Sequence, residues 1–242
     1  MSTLSFSLDP SAAQTTPSQR TQYPIVTGTS VVGLKYKGGV MLAADTLCSY
    51  GSMAKYKDAR RIRTVGTNTI IGASGEYSDF QSIMDTLEGH TQDDVNYDDG
   101  HKSDAKSIHS YLRAIMYQRR SKMNPLWNDL VIAGSGFLGY VDKIGTTYED
   151  DFIATGFGSY LAIPILRSKW RPDLTEGEAR ALLEDCLRVL FYRDCRALNR
   201  IQIAKVAEGE TGVVSEPYEL ETNWEGAGFE STKGGMEGDG GW

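Results

Sequence analysis

Two runs rich in β-branched and apolar residues, 25–36 and 40–45, are separated by Lys37-Gly38-Gly39. Runs of this kind around a glycine turn signal an antiparallel hairpin, which restricts the possible folds more than any other feature of the chain. A third such run spans 69–73, and residues 129–144 (DLVIAGSGFLGYVDKI) hold two more around Gly134-Ser135-Gly136, a second hairpin. Between them, 103–122 sets Ile108, Tyr111, Leu112, Ile115 and Met116 at helical spacing. Two further helices are predicted at 158–167 and 175–193. The second has Thr175 as its cap, Glu178 three residues on, and Ala179, Leu182, Leu183, Cys186, Val189 and Leu190 along one face. A strand at 201–206 closes the series. Hairpins with helices segregated after them imply an α+β body, antiparallel sheets covered by helix pairs, and not a βαβ repeat.

The 242 residues are enough for one domain with extensions at both ends. Residues 1–20 hold eight Ser/Thr, two Pro and only two charges, Asp9 and Arg20, and read as a flexible leader. Without a basic start and an apolar block it is no secretory signal. Residues 207–242 contain nine Gly and nine acids against one Lys, with Tyr218, Leu220, Trp224 and Phe229 spaced among them. Their aromatics predict an extended arm with apolar anchors for a partner, while the composition equally suits a solubilising tail. The net charge of −7 argues against a surface that collects nucleic acid or anionic lipid. No apolar run approaches the ~20 residues of a membrane span. Cys48, Cys186 and Cys195 include no Cys-x-x-Cys pair, which predicts free core thiols in a reducing compartment, with neither disulfide nor zinc site.

Several motifs lead nowhere. Gly134-Ser135-Gly136-Phe137-Leu138-Gly139 spells a dinucleotide fingerprint, but it opens a strand-like Tyr-Val-Asp-Lys-Ile, and no acid follows between 152 and 170 to hold a ribose. The acidic stretch 93–104 resembles a calcium loop, yet Asp99 takes the obligatory glycine place and Ala105 that of the bidentate glutamate, so it reads as a solvated loop. His90, His101 and His109 lie in or beside that loop without ligand spacing, which disfavours metal sites and histidine bases. The segment 119–128, basic and then apolar, suits either a contact surface or a helix end that plugs the core.

A hydroxyl without a histidine can still be activated by a free α-amine, which titrates near 7.7–8.0. Gly28-Thr29-Ser30-Val31, Lys37-Gly38-Gly39-Val40, Ala43-Ala44-Asp45, Gly72-Ala73-Ser74-Gly75 and Tyr192-Arg193-Asp194 together resemble the proteasome beta-subunit pattern, over 21–206. The resemblance implies an Ntn-hydrolase fold, a four-layer αββα sandwich of two antiparallel sheets, and no cofactor or metal. It further implies a place in the 20S core particle, in cytoplasm and nucleus, serving ubiquitin-dependent protein degradation. The partners would be other alpha and beta subunits in stacked rings of seven, including a beta subunit of the opposite ring that the C-terminal extension reaches.

Catalytic members of that family expose a threonine by cutting a Gly-Thr bond, with Asp sixteen and Lys thirty-two residues later. Here Thr29 takes the first place and Asp45 the second, but Arg61 stands where Lys belongs. Phe157 replaces the assisting serine of the helix-entry motif; Asp194 is kept, while the serine three residues beyond it is Ala197. The resemblance implies cleavage between Arg20 and Thr21 instead, leaving eight residues, 21–28, covering Thr29. Asp45 and Asp194 then read as buried partners of Arg61 and nearby backbone in a vestigial pocket. The expected function is that of a non-catalytic structural subunit, with an active N-terminal threonine endopeptidase as the alternative.

Overall fold

The structure, a computed structural model, describes residues 23–97, 100, 102–207 and 209–223. The predicted first hairpin is β2 (Val31–Tyr36) and β3 (Gly39–Asp45), turning at Gly38 with φ +98°, a value open to glycine at little cost. Every residue of β3 is buried, and the two-residue period divides them between two cores. Val40, Leu42 and Ala44 face the opposing sheet, whereas Met41 and Ala43 face helices. The predicted closing strand is β12 (Arg200–Ala207), paired antiparallel with β3 along its whole length. With β11 (Phe152–Ala154), β13 (Val213–Val214) and β14 (Tyr218–Glu219) these strands make a six-stranded sheet.

The second sheet has eight strands in the order β10-β9-β8-β7-β1-β4-β5, with β6 also on β7. They are β1 (Val26–Gly28), β4 (Cys48–Tyr50), β5 (Met53–Tyr56), β6 (Ile62–Val65), β7 (Thr69–Glu76), β8 (Asn128–Gly134), β9 (Phe137–Val141) and β10 (Thr147–Glu149). The first two glycines of the apparent dinucleotide fingerprint, Gly134 and Gly136, thus close the β8–β9 hairpin, and Gly139 lies within β9 opposite Ile132. Ile70, Val131 and Ala133 meet the first sheet, while Ile71, Leu130 and Ile132 meet α1 (Tyr77–Tyr97) and α2 (Ala105–Ser121). On the far side α3 (Gly158–Lys169) and α4 (Glu176–Arg193) cover the six-stranded sheet. Two antiparallel sheets face to face between two helix pairs form the expected αββα sandwich.

Helix α4 starts as predicted. The Thr175 hydroxyl accepts from the Glu178 amide at 3.4 Å, and Glu178 accepts from the Thr175 amide at 2.9 Å, a reciprocal capping box. Its buried face carries Leu187, and Val189 is only half-buried.

Three expectations require correction. Residues 93–97, read as part of a solvated loop, are the last turns of α1, a helix whose polar stretches hid its four buried anchors Phe80, Ile83, Met84 and Leu87. Cys195 is exposed, so only Cys48 and Cys186 are core thiols. Tyr218 and Leu220 do not point to a partner: Leu220 is buried and Tyr218 half-buried against α4 and the first sheet, because β14 pairs with β12 and carries both onto the chain's own core. Trp224 and Phe229, the other two anchors, lie outside the described residues, as do Arg20 and Thr21. In the segment 119–128, Leu126 is buried in the α1–α2 core and the Arg119 guanidinium donates to the Asn124 carbonyl, so its apolar end plugs the core.

Candidate functional site

Thr29 directly follows β1, and the backbone leading to it is an interior strand. Val26, Thr27 and Gly28 lie opposite Tyr50, Ser49 and Cys48 of β4, and Thr27 and Gly28 also lie opposite Glu76 and Gly75 of β7. Both pairings are antiparallel. Glu76 fixes the entry to this strand: one carboxylate oxygen accepts from the Ile25 amide and, at 3.1 Å, from the Val26 amide. Its other oxygen accepts from the Ser78 hydroxyl at 2.9 Å.

Arg61 lies just before β6, and although it carries a charge it is only 1 % exposed. A guanidinium has five N–H donors and no acceptor, so it can be buried only where five acceptors converge. Here Nε donates to the Asp45 carbonyl at 3.1 Å, and Nη1 donates to the carbonyls of Thr29 at 2.9 Å and Ala73 at 3.1 Å. Nη2 donates to the Ser30 carbonyl at 3.0 Å and to the Asp45 carboxylate. The second oxygen of Asp45 accepts from the Leu198 amide at 2.8 Å. Burial pushes the Asp45 carboxyl above the usual aspartate range, against the lowering pull of Arg61 and the Leu198 amide, while Asp194 adds to the rise.

The Thr29 hydroxyl donates to Asp194 at 2.5 Å, and the other oxygen of Asp194 accepts from the Arg196 amide at 2.9 Å. Asp194, at the C-cap of α4, is therefore the partner of Thr29 and of nearby backbone as expected, but not of Arg61, whose donors all go to other acceptors. Ala197 sits in the turn below it, its amide donating to the Asp194 carbonyl at 3.1 Å. Phe157 opens α3 without capping it and is 58 % exposed, outside the bonded set. The cap comes from Ser30, whose hydroxyl accepts from the Gly158 amide at 2.9 Å. Residue patterns gave no signal for Ser30 or Glu76, since each serves a partner remote in sequence.

The structure thus joins Thr29, Asp45, Arg61 and Asp194 through a chain of bonds, with Ala197 beside them and Phe157 apart. A nucleophilic threonine needs a group that takes its proton near neutrality. Arg61 cannot, because a guanidinium keeps its proton in proteins. The nitrogen of Thr29, bonded to Gly28, is an amide without basicity. Among the described residues no cluster of three or more His, Cys, Asp or Glu could hold a metal ion. No helix among them is long and apolar enough to cross a membrane.

Residues 25–206 match the family model described as proteasome subunit. The chain is 50 % identical over 225 residues to proteasome subunit beta type-4 of Arabidopsis thaliana, covering 91 % of each. It is 50 % identical over 216 residues to the beta type-4 subunit of Xenopus laevis, covering 86 % of this chain and 88 % of that relative. Against proteasome subunit beta type-7 of Saccharomyces cerevisiae the identity is 40 % over 215 residues, covering 83 % and 80 %.

Proposed function

The chain belongs to the proteasome subunit family, and on that premise we propose that it is a non-catalytic beta subunit of the 20S core particle, of the type-4 and type-7 kind. Its role is structural: it completes a ring of seven and joins stacked rings, in cytoplasm and nucleus, within the machinery of ATP- and ubiquitin-dependent protein degradation. The observation that carries this reading is the state of the backbone around Thr29. The place between β4 and β7 that leads directly to Thr29 is filled by the chain's own Val26–Gly28. Arg61 fastens the carbonyls of Thr29 and Ser30 immediately beyond it.

Processing on this reading removes residues 1–20 by a cut between Arg20 and Thr21, made in trans by a neighbour that accepts a basic residue. Residues 21–28 then stay attached, and Thr29 never gains a free amine. The part of the C-terminal extension beyond Asn223 reaches the opposite ring, with Trp224 and Phe229 as its anchors.

The second reading, an active threonine endopeptidase, draws on the kept Asp45 and on the bond from Thr29 to Asp194. A peptide epoxyketone separates the two, since it forms its adduct only with a threonine that has both hydroxyl and free amine. Assembled particles treated with it and analysed by mass spectrometry should carry no adduct on this chain, whose first residue should be Thr21. An adduct on Thr29, or a mature chain beginning there, would favour the peptidase.

A further inference from the structure

The larger sheet ends in an exposed strand. β5 is the outer strand beyond β4, and all four of its residues are exposed. Its free side offers backbone amides and carbonyls to another chain, a hazard that isolated proteins usually blunt with charges, proline or a twist. On β5 that device is one charge, Lys55, and its inner neighbour β4 adds a register shift between Cys48 and Ser49. Tyr50, Met53, Tyr56 and Ile25 add an exposed apolar patch, with Met53 at 61 % exposure. Beside it lies a hollow of about 730 Å³, lined in part by Ile25, Tyr56, Lys55 and Lys57. The Lys55 ammonium stands 5.0 Å and 5.2 Å from the ring centres of Tyr50 and Tyr56. Among the described residues neither Lys55 nor Lys57 has a carboxylate partner.

We propose that the β5 edge and its hollow are a docking surface for an extended segment of an adjoining subunit of the same particle, apolar with at least one carboxylate. The inference rests on the reading of the chain as a core-particle subunit. The segment would pair with the free side of β5, place apolar side chains against Met53 and Tyr56, and bring a carboxylate to Lys55 and Lys57. Backbone pairing supplies affinity, and the two lysines select the partner. A second copy of this chain fits poorly, because edge-to-edge pairing of two β5 strands crowds the lysines of both copies on one seam and brings no carboxylate from β5 to either.

The test places a photo-crosslinking amino acid at Met53 of the full chain and isolates the assembled particles. The expected product joins this chain to a different subunit through a peptide that contains Asp or Glu. In parallel, the double substitution Lys55→Glu with Lys57→Glu should slow incorporation on the order of tenfold, the scale of lost electrostatic steering, with the chain's own melting temperature unchanged. Incorporation at the normal rate, a crosslink confined to another copy of this chain, or no crosslink in assembled particles would each overturn the proposal while leaving the core-particle reading in place. Failure of the unsubstituted chain to enter particles would overturn both.

Discussion

Gly28 and Arg61 occupy one space. A side chain at residue 28 would begin with a Cβ 2.3 Å from the Arg61 Cδ, closer than any real contact, so the glycine before Thr29 is required by the arginine behind it. In a peptidase of this family that glycine would be the residue released by the activating cut. Here it is an interior position of the sheet, and the same guanidinium that excludes a side chain at 28 binds the carbonyl of 29. Gly28→Ala should therefore overpack the pocket and cost about 1–3 kcal/mol, read as a lower denaturant midpoint with the slope unchanged.

Arg61 should be the most sensitive polar position in the chain. Replacing it with Met removes five donors and leaves Asp45 as an unpaired buried charge, at a cost of about 3–5 kcal/mol. Arg61→Lys restores the charge but has only three donors for five acceptors, and it should recover part of that loss in equilibrium unfolding without creating peptidase activity. If Arg61→Met unfolded at the wild-type midpoint, the bonding around Thr29 would be wrong.

Where the C-terminal segment stops being part of the body can be located by truncation. The Leu220 amide donates to the Asn199 carbonyl at 2.8 Å, Arg188 to the Glu221 carbonyl at 3.1 Å, and the Asn223 amide to the Tyr192 hydroxyl at 2.6 Å. Ending the chain after Asn223 should leave the melting temperature unaltered, whereas Leu220→Ala should cost about 2–5 kcal/mol, as for other buried leucines. Equal stability of the Leu220→Ala variant would mean that the segment up to Asn223 does not hold to the body.

The three thiols should react in a fixed order. Burial pushes Cys48 up to about 11 and Cys186 up to about 12, so neither forms thiolate near neutrality, whereas Cys195 is exposed. A maleimide applied to the folded full-length chain, followed by peptide mapping, should label Cys195 alone, with the other two appearing only after denaturation.

Asp104 caps α2, and bonds from the Ser107 hydroxyl and amide hold its carboxyl below the usual aspartate range. A group depressed in the folded state adds stability above its unfolded value and loses it as the pH falls through the lower folded value. The difference in stability between wild type and Asp104→Asn should accordingly shrink on acidification below the ordinary aspartate range, measured by thermal unfolding. A difference independent of pH would show that the cap does not act as a carboxylate.

The family resemblance supplied the frame of sixteen and thirty-two residues from Thr29, and the sequence by itself determined the strands of both hairpins, three of the four described helices and the capping box at Thr175. These are readable because turns, caps and side-chain periods are local, each set by a few neighbouring residues. Helix α1 escaped because its buried anchors stop at Leu87, and of the nine residues that follow before Tyr97 only Val95 is apolar apart from Gly89. What only the tertiary structure decided is pairing between distant segments: Val26–Gly28 lodged between β4 and β7, Asp194 given to Thr29 and not to Arg61, Ser30 capping α3, and Tyr218 and Leu220 seated on their own core. The resemblance implies that Arg61 stands where catalytic members carry a lysine. That its five donors meet five acceptors follows from carbonyls at 29, 30, 45 and 73 converging on one point with the Asp45 carboxylate, and no local pattern records such convergence.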